Sequence, residues 1–333
     1  MEVILHIGMG KTGTSSIQAA LTQSAPALRE QGVEYLGMWF DMIDPAFRGL
    51  AGQPNFFRSG PEEMQAHARR FAAFLAERRR TGGCTRFILS NEGIYGQVRT
   101  VLPFLEELRR HVPLRLVAYV RDPRDWLPSA YSQWSIFHKN YEGPVRPFAE
   151  MARQQVKVYS GFQLWGEAAR DILTVRPFLK QKNVVEDFAE VLGISLTPPA
   201  NRRQARVEAD QAALRIFYNT RLPGNTLPWV FDGAFKGLDL SATPVLEDVV
   251  DRMLDYRETD RIVSEARPLF DYLRTRFGID FPPSETEIEP PPDAEALRRR
   301  LTEHLLQIVM NQADRIRALE EAVAALQAPT GKS

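Results

Sequence analysis

Residues 3–28 constrain the fold of this chain more than any other stretch. Val3-Ile4-Leu5-His6-Ile7 is a short apolar run suited to a buried parallel strand. Gly8, Gly10 and Gly13 follow, with Lys11, Thr12, Thr14, Ser15 and Ser16 among and after them. Ile17, Ala20, Leu21, Ala25 and Leu28 then recur at helical spacing. Strand, glycine loop and helix in that order grips an anion. Glycines let the backbone come close, amides at the helix start point at the charge, and the helix dipole favours it. Lysine adds a full cation and the hydroxyls add donors.

A chain of 333 residues has room for one large α/β domain or two smaller ones. Its 42 basic residues balance 42 acidic ones. A global positive field for nucleic acid or an anionic membrane is therefore excluded, while a local basic pocket is not. The single Cys84 excludes an intramolecular disulfide and a cysteine zinc cluster, and fits a reducing compartment. No apolar run approaches the ~20 residues of a membrane span. Because the first core strand begins at Val3, no signal peptide is expected, and the expected location is the cytoplasm.

Along the chain, Gly32–Leu36 predicts a second short strand. Residues 37–60 show no clear period, and Trp39, Phe40, Phe56, Phe57 and Arg58 would either line an acceptor pocket or pack the loop down. Ser59-Gly60-Pro61-Glu62 reads as a capping box opening a helix to about Arg80. Arg86–Leu89 predicts a third strand, leading into Ser90-Asn91-Glu92, and Val101, Leu105 and Leu108 share a helix face. Leu114–Val120 is the longest near-continuous apolar run and reads as a central strand. Asp122 would cap the next helix, with Pro123 in its first position. Asp171–Val175 predicts another strand, followed by a helix that stops at Gly193. This β-α-β-α succession implies a three-layer α/β/α fold around a mainly parallel sheet. Residues 1–200 are expected to form that core, and 201–279 a helical continuation with helices at about 208–220 and 245–277. Residues 280–333 are expected to be a proline-rich linker and a C-terminal helix. That helix, 294–327, carries apolar residues at spacings of three and four, and either docks on the body or forms a coiled coil and a homo-oligomer. Docking fits better, because the run has two consecutive steps of four.

The loop is not a regular Walker A motif, since the position five before Gly10 is Leu5 rather than glycine. Lys11-Thr12-Gly13-Thr14-Ser15 instead resembles the 5′-phosphosulfate loop of sulfotransferases that use 3′-phosphoadenosine 5′-phosphosulfate (PAPS). A second match lies at Arg121 and Ser129: these enzymes hold the donor's 3′-phosphate with a strand-end arginine and a serine eight positions on. The resemblance, to a bacterial cytoplasmic form, covers about residues 1–193. It implies a P-loop-like fold and a metal-free sulfuryl transfer to a carbohydrate or small-molecule hydroxyl or amine, with adenosine 3′,5′-bisphosphate as product.

The resemblance also implies roles. Gly10, Lys11, Thr12, Gly13, Thr14, Ser15 and Ser16 would hold the phosphosulfate, with Lys11 on the bridging oxygen and the 5′-phosphate. Arg121 and Ser129 would hold the 3′-phosphate, with Arg202 and Arg203 as a late basic loop over it or a solvated turn. Cytosolic members carry a histidine base where this chain has Glu92. Heparan-type members use a glutamate earlier in the chain, near Glu34, so Glu92 is the first candidate base and Glu34 the second. His6 is read as a core histidine more readily than a chemical one. His138, Lys139 and Tyr141 would face the acceptor. Two other readings stay open: a P-loop kinase or ATPase, and a non-catalytic binding module on the same fold.

Overall fold

The computed structural model describes residues 1–179, 181–198, 209–220, 222–233, 245–282 and 290–327. Five strands, β1 (Glu2–His6), β2 (Val33–Tyr35), β3 (Arg86–Ser90), β4 (Leu114–Arg121) and β5 (Leu173–Phe178), form one sheet in the order β2-β3-β1-β4-β5. Every pairing is parallel. The expected α/β architecture is therefore present. The centre is β1 rather than the longer β4, which lies between β1 and β5.

Strand alternation sends Ile4, Ile88, Val117 and Tyr119 to one face, where they bury against Ile17, Leu21, Phe188 and Leu192 of the Thr14–Gln23 and Val184–Leu192 helices. The opposite face carries Glu34 of β2, whose carboxylate is bound by Arg78 of the Pro61–Gly82 helix. Arg69 of that helix pairs with Glu107 of the Val98–Leu108 helix at 3.2 Å, so both lie on this second face. Burying both faces explains why β1, β3 and β4 read as apolar runs.

Two compact units are present. One takes in Met1–Ala130, Ala152–Ala205 and Thr259–Glu287, and holds the whole sheet; the other takes in Tyr131–Met151, Arg206–Glu258 and Ile288–Ser333.

Several local expectations are corrected. Residues 37–60 are not structureless: Pro45–Phe47 forms a 3₁₀ turn and Gly49–Phe57 a helix. The Pro61–Gly82 helix is capped from Gly60, whose N–H donates to Glu63, not from Ser59 and Glu62. β5 runs on through Pro177, which an edge strand tolerates. The single helix expected at 245–277 is three, Leu246–Met253, Thr259–Glu265 and Arg267–Phe277. Its first break follows from Asp255, which accepts the Arg257 backbone N–H at 3.0 Å and so offers the chain a turn in place of the helix ladder. The C-terminal helix, Ala294–Gln327, buries Leu297 and Leu301 in the second unit, while Leu305, Val309, Ile316, Leu319 and Val323 are exposed.

Candidate active site

The connection from β1 to β2 leaves the sheet centre one way, and that from β3 to β4 crosses to the other side of β1. Parallel sheets with such a reversal leave a crevice beyond the strand ends at that point. Three strand ends supply its side chains, and all belong to the first unit.

The loop after β1 is held in an unusual backbone path. Gly8 has φ +48°, and a Cβ there would lie 2.7 Å from the Thr14 methyl and 3.4 Å from the Glu92 Cβ. Gly13 has φ +83°, and a Cβ there would lie 2.7 Å from Val184. Lys11, at φ +68°, is the one non-glycine residue at positive φ among those described. Left-handed backbone costs a side-chain-bearing residue about 1–2 kcal/mol. Left-handed residues at 11 and 13 flanking Thr12 turn successive amides toward one side, the geometry of an anion nest. The Thr12 hydroxyl donates back to the Met9 carbonyl, and Trp126 Nε1 donates to the Gly10 carbonyl at 2.8 Å, so the loop is braced from within and from the following helix. Helical bonding starts with the Ser16 and Ile17 amides, which both donate to Gly13, at 3.0 and 3.1 Å. The Thr14 and Ser15 amides thus stand ahead of the first helical acceptor.

Glu92 comes in from the end of β3. Its carboxylate accepts the Thr14 hydroxyl, and the residue is exposed. Asn91 sets its position: the Asn91 backbone N–H donates to the His6 carbonyl at 2.9 Å, and the Asn91 side chain accepts Gly93 N–H at 2.8 Å and Gln53 Nε2 at 2.7 Å. The 37–60 segment thereby reaches the site through Gln53. Its Phe40 and Phe56 are instead buried and stacked 4.2 Å apart, with Phe104 5.4 Å from Phe40, so they pack the segment onto the body. Trp39 and Phe57 are half-buried and Arg58 is exposed.

Arg121 ends β4. Its Nη1 donates to the Lys11 carbonyl at 3.1 Å, its guanidinium lies 5.4 Å over the Phe178 ring, and its own carbonyl accepts the Tyr159 hydroxyl at 2.6 Å. Its Nε is buried without a hydrogen-bond acceptor among the described residues. A buried donor in that state is costly, more so on a cation, and is satisfied by an anion. Burial lowers the pKa of Arg121, opposed by Asp125. The Lys11 ammonium is lowered by burial and by Arg121, and raised by Glu92. Lys11, Glu92 and Arg121 therefore share one electrostatic site.

Other expected residues fall elsewhere. Ser129 is half-buried on the Pro123–Tyr131 helix and makes no side-chain hydrogen bond among the described residues. Glu34 is buried and ion-paired with Arg78 and, at 3.4 Å, with Arg29, opposite Phe87 in mid-strand. His6 is fully buried beneath the loop, with Nδ1 2.8 Å from Ser90 Oγ, and burial lowers its pKa to about 3, so it is neutral at physiological pH. Lys139 is buried, with its ammonium on the Gly143 and Leu222 carbonyls, and the Tyr141 hydroxyl accepts the Arg146 backbone N–H at 3.2 Å. Arg202 and Arg203 lie outside the described residues. Sequence reasoning missed Trp126, Tyr159, Phe178 and Gln53. Only Trp126, five residues after Arg121 on the next helix, carried a local signal. No group of three or more His, Cys, Asp or Glu residues placed to hold a metal occurs among the described residues, and no helix described is long and apolar enough to cross a membrane.

No family model matches the chain, and no curated protein matches its sequence. Among solved structures, a sulfotransferase domain from the curacin biosynthetic pathway aligns over 80% of this chain and 97% of its own, at 11% identity and a TM-score of 0.35. The solved structure of APE1195 aligns over 58% of this chain and 92% of its own, at 15% identity and a TM-score of 0.25. Superpositions this loose transfer no residue roles.

Proposed function

We propose that the chain transfers a sulfuryl group from PAPS to a hydroxyl or amine of a carbohydrate or small-molecule acceptor. The observation that carries this reading is the meeting of Lys11, Glu92 and Arg121 from three strand ends around a left-handed loop, with a buried Arg121 Nε in need of an acceptor. One anion nest and one separate guanidinium suit a donor with phosphates at both its 5′ and 3′ positions.

In the proposed reaction the acceptor oxygen or nitrogen attacks sulfur in line with the bridging oxygen. A new bond forms to sulfur, the bond to the bridging oxygen breaks, and the electron pair leaves on the 5′-phosphate. Protein groups do little covalent work in such a transfer; they align the partners and neutralise the leaving charge. The 10–15 loop orients the phosphosulfate. The Lys11 ammonium, made more acidic by burial and Arg121, donates to the bridging oxygen as negative charge grows there. Glu92, exposed and steadied by Thr14, takes the acceptor's proton. Adenosine 3′,5′-bisphosphate leaves as product.

Titration calorimetry tests the donor. Adenosine 3′,5′-bisphosphate should bind without added metal, and ATP with magnesium should bind much more weakly. Tight ATP–magnesium binding with none for the bisphosphate refutes the proposal in favour of a nucleotide kinase or ATPase. Turnover of labelled PAPS across a panel of sugars, phenols and amines identifies the acceptor.

A further inference from the structure

The C-terminal helix changes character along its length. Leu297 and Leu301 are 4% and 7% exposed, seated in the second unit. Further along, Leu305 is 51% exposed, Val309 64%, Ile316 55%, Leu319 62% and Val323 50%, with Ile308 half-buried beside them. With Gln312 between them, these residues follow steps of four, three, four, three and four. That strict alternation is the heptad seam of a coiled coil, with β-branched Val309, Ile316 and Val323 at a and Leu305, Gln312 and Leu319 at d. β-branched residues at a with leucine at d favour two parallel strands.

We infer that residues 305–323 pair with the same segment of a second copy of this chain in a parallel, in-register, two-stranded coiled coil. Two features select the occupant and its direction. Arg315 falls at g and Glu320 at e of the next heptad, the two positions that meet across a parallel dimer, so each chain offers its copy a complementary ion pair twice over. Gln312 in that arrangement faces Gln312 of the other copy, where two amides satisfy each other. The antiparallel alignment that keeps the same six residues in contact sets Gln312 against Ile316 and Arg315 against its own copy. That leaves a buried amide unpaired and two like charges together. The seam spans about 28 Å at 1.5 Å per residue.

Sedimentation equilibrium of the full chain at micromolar concentration should give twice the 37.9 kDa chain mass. The double substitution Ile316→Asp with Leu319→Asp alters only exposed positions, and should yield a monomer that keeps the cooperative thermal unfolding of the rest. Oxidative cross-linking reads the direction. Leu305→Cys should link to itself, because d residues of a parallel pair meet their own copies, and Cys84 is buried out of reach. A wild-type monomer, a trimer or tetramer, a dimer that survives the double substitution, or cross-links forming only between Leu305→Cys and Val323→Cys chains would each overturn the inference.

Discussion

Replacing Arg121 by methionine separates the two phosphate contacts of the proposed donor. One of the five guanidinium N–H groups goes to the Lys11 carbonyl at 3.1 Å, and Nε is buried without an acceptor among the described residues. The Nε–Nη2 edge is therefore the one a 3′-phosphate would meet, through two charge-assisted bonds of about 1.5–3 kcal/mol each. Truncating one side of such a desolvated pair costs about 2–5 kcal/mol, a ~30- to ~5000-fold loss in affinity. Calorimetry on the wild type and Arg121→Met, each with adenosine 3′,5′-bisphosphate and adenosine 5′-phosphate, closes a cycle between side chain and ligand phosphate. The wild type should prefer the bisphosphate by at least ~30-fold, and the variant should lose that preference while keeping most of its affinity for the monophosphate. Arg121→Lys should restore part of the preference, since it keeps the charge and loses the fork. Removing the guanidinium also removes a charge that lowers Lys11, so the lysine ammonium should titrate at higher pH in Arg121→Met, measured by NMR of isotopically labelled lysine. An equal preference ratio in wild type and variant refutes the assignment of Arg121 to the 3′-phosphate.

Glu92→Gln should cut turnover by about 100-fold or more and leave the calorimetric affinity for adenosine 3′,5′-bisphosphate within about twofold, since general base and donor grip are separate; undiminished turnover moves the base away from Glu92. Gly8→Ala places a Cβ 2.7 Å from the Thr14 methyl at φ +48° and should destabilise the fold by about 1–3 kcal/mol in urea titrations; an unchanged midpoint shows that the loop relaxes freely. Asp187 supplies a pH dependence. Burial pushes its carboxyl up, but hydrogen bonds from Arg176, Lys182 and Tyr119 outweigh that and hold it at about 2, below its ordinary 3.8. A depressed carboxylate contributes stability that is present above pH ~4 and is lost as pH falls toward ~2, here about 2 kcal/mol. Asp187→Asn should lower stability at pH 7 and flatten its decline between pH 4 and 2, read from urea midpoints across that range.

Much of the fold was written locally. Strands β1, β3 and β4 bury both faces, so their apolar runs are visible without partners, and the Thr14–Gln23 and Val184–Leu192 helices show their own period. The glycine loop is equally legible, because only glycine accepts the positive φ of positions 8 and 13 at low cost. Breaks decided by competition were not legible. Asp255 ends a helix by accepting the Arg257 backbone N–H, although the apolar period runs on through it. Aromatic residues in 37–60 looked alike in sequence, while packing sent Phe40 and Phe56 inward and brought Gln53 onto Asn91 at the end of β3.

By itself, the sequence determined that a strand, a glycine loop and a helix begin an α/β sheet, and that Lys11 stands in that loop, because these depend on residues a few positions apart. Strand order was settled only in three dimensions. Placing β1 between β3 and β4 brings Glu92 onto Thr14 and Arg121 onto the Lys11 carbonyl, across 78 and 110 positions of chain. Tertiary structure likewise buried Glu34 between two arginines, and left the seam from Leu305 to Val323 facing outward while Leu297 and Leu301 turned in. The reason is the range of the forces. Backbone preference and periodicity act within a few residues, whereas burial and the pairing of charges are decided by which segments the sheet sets side by side.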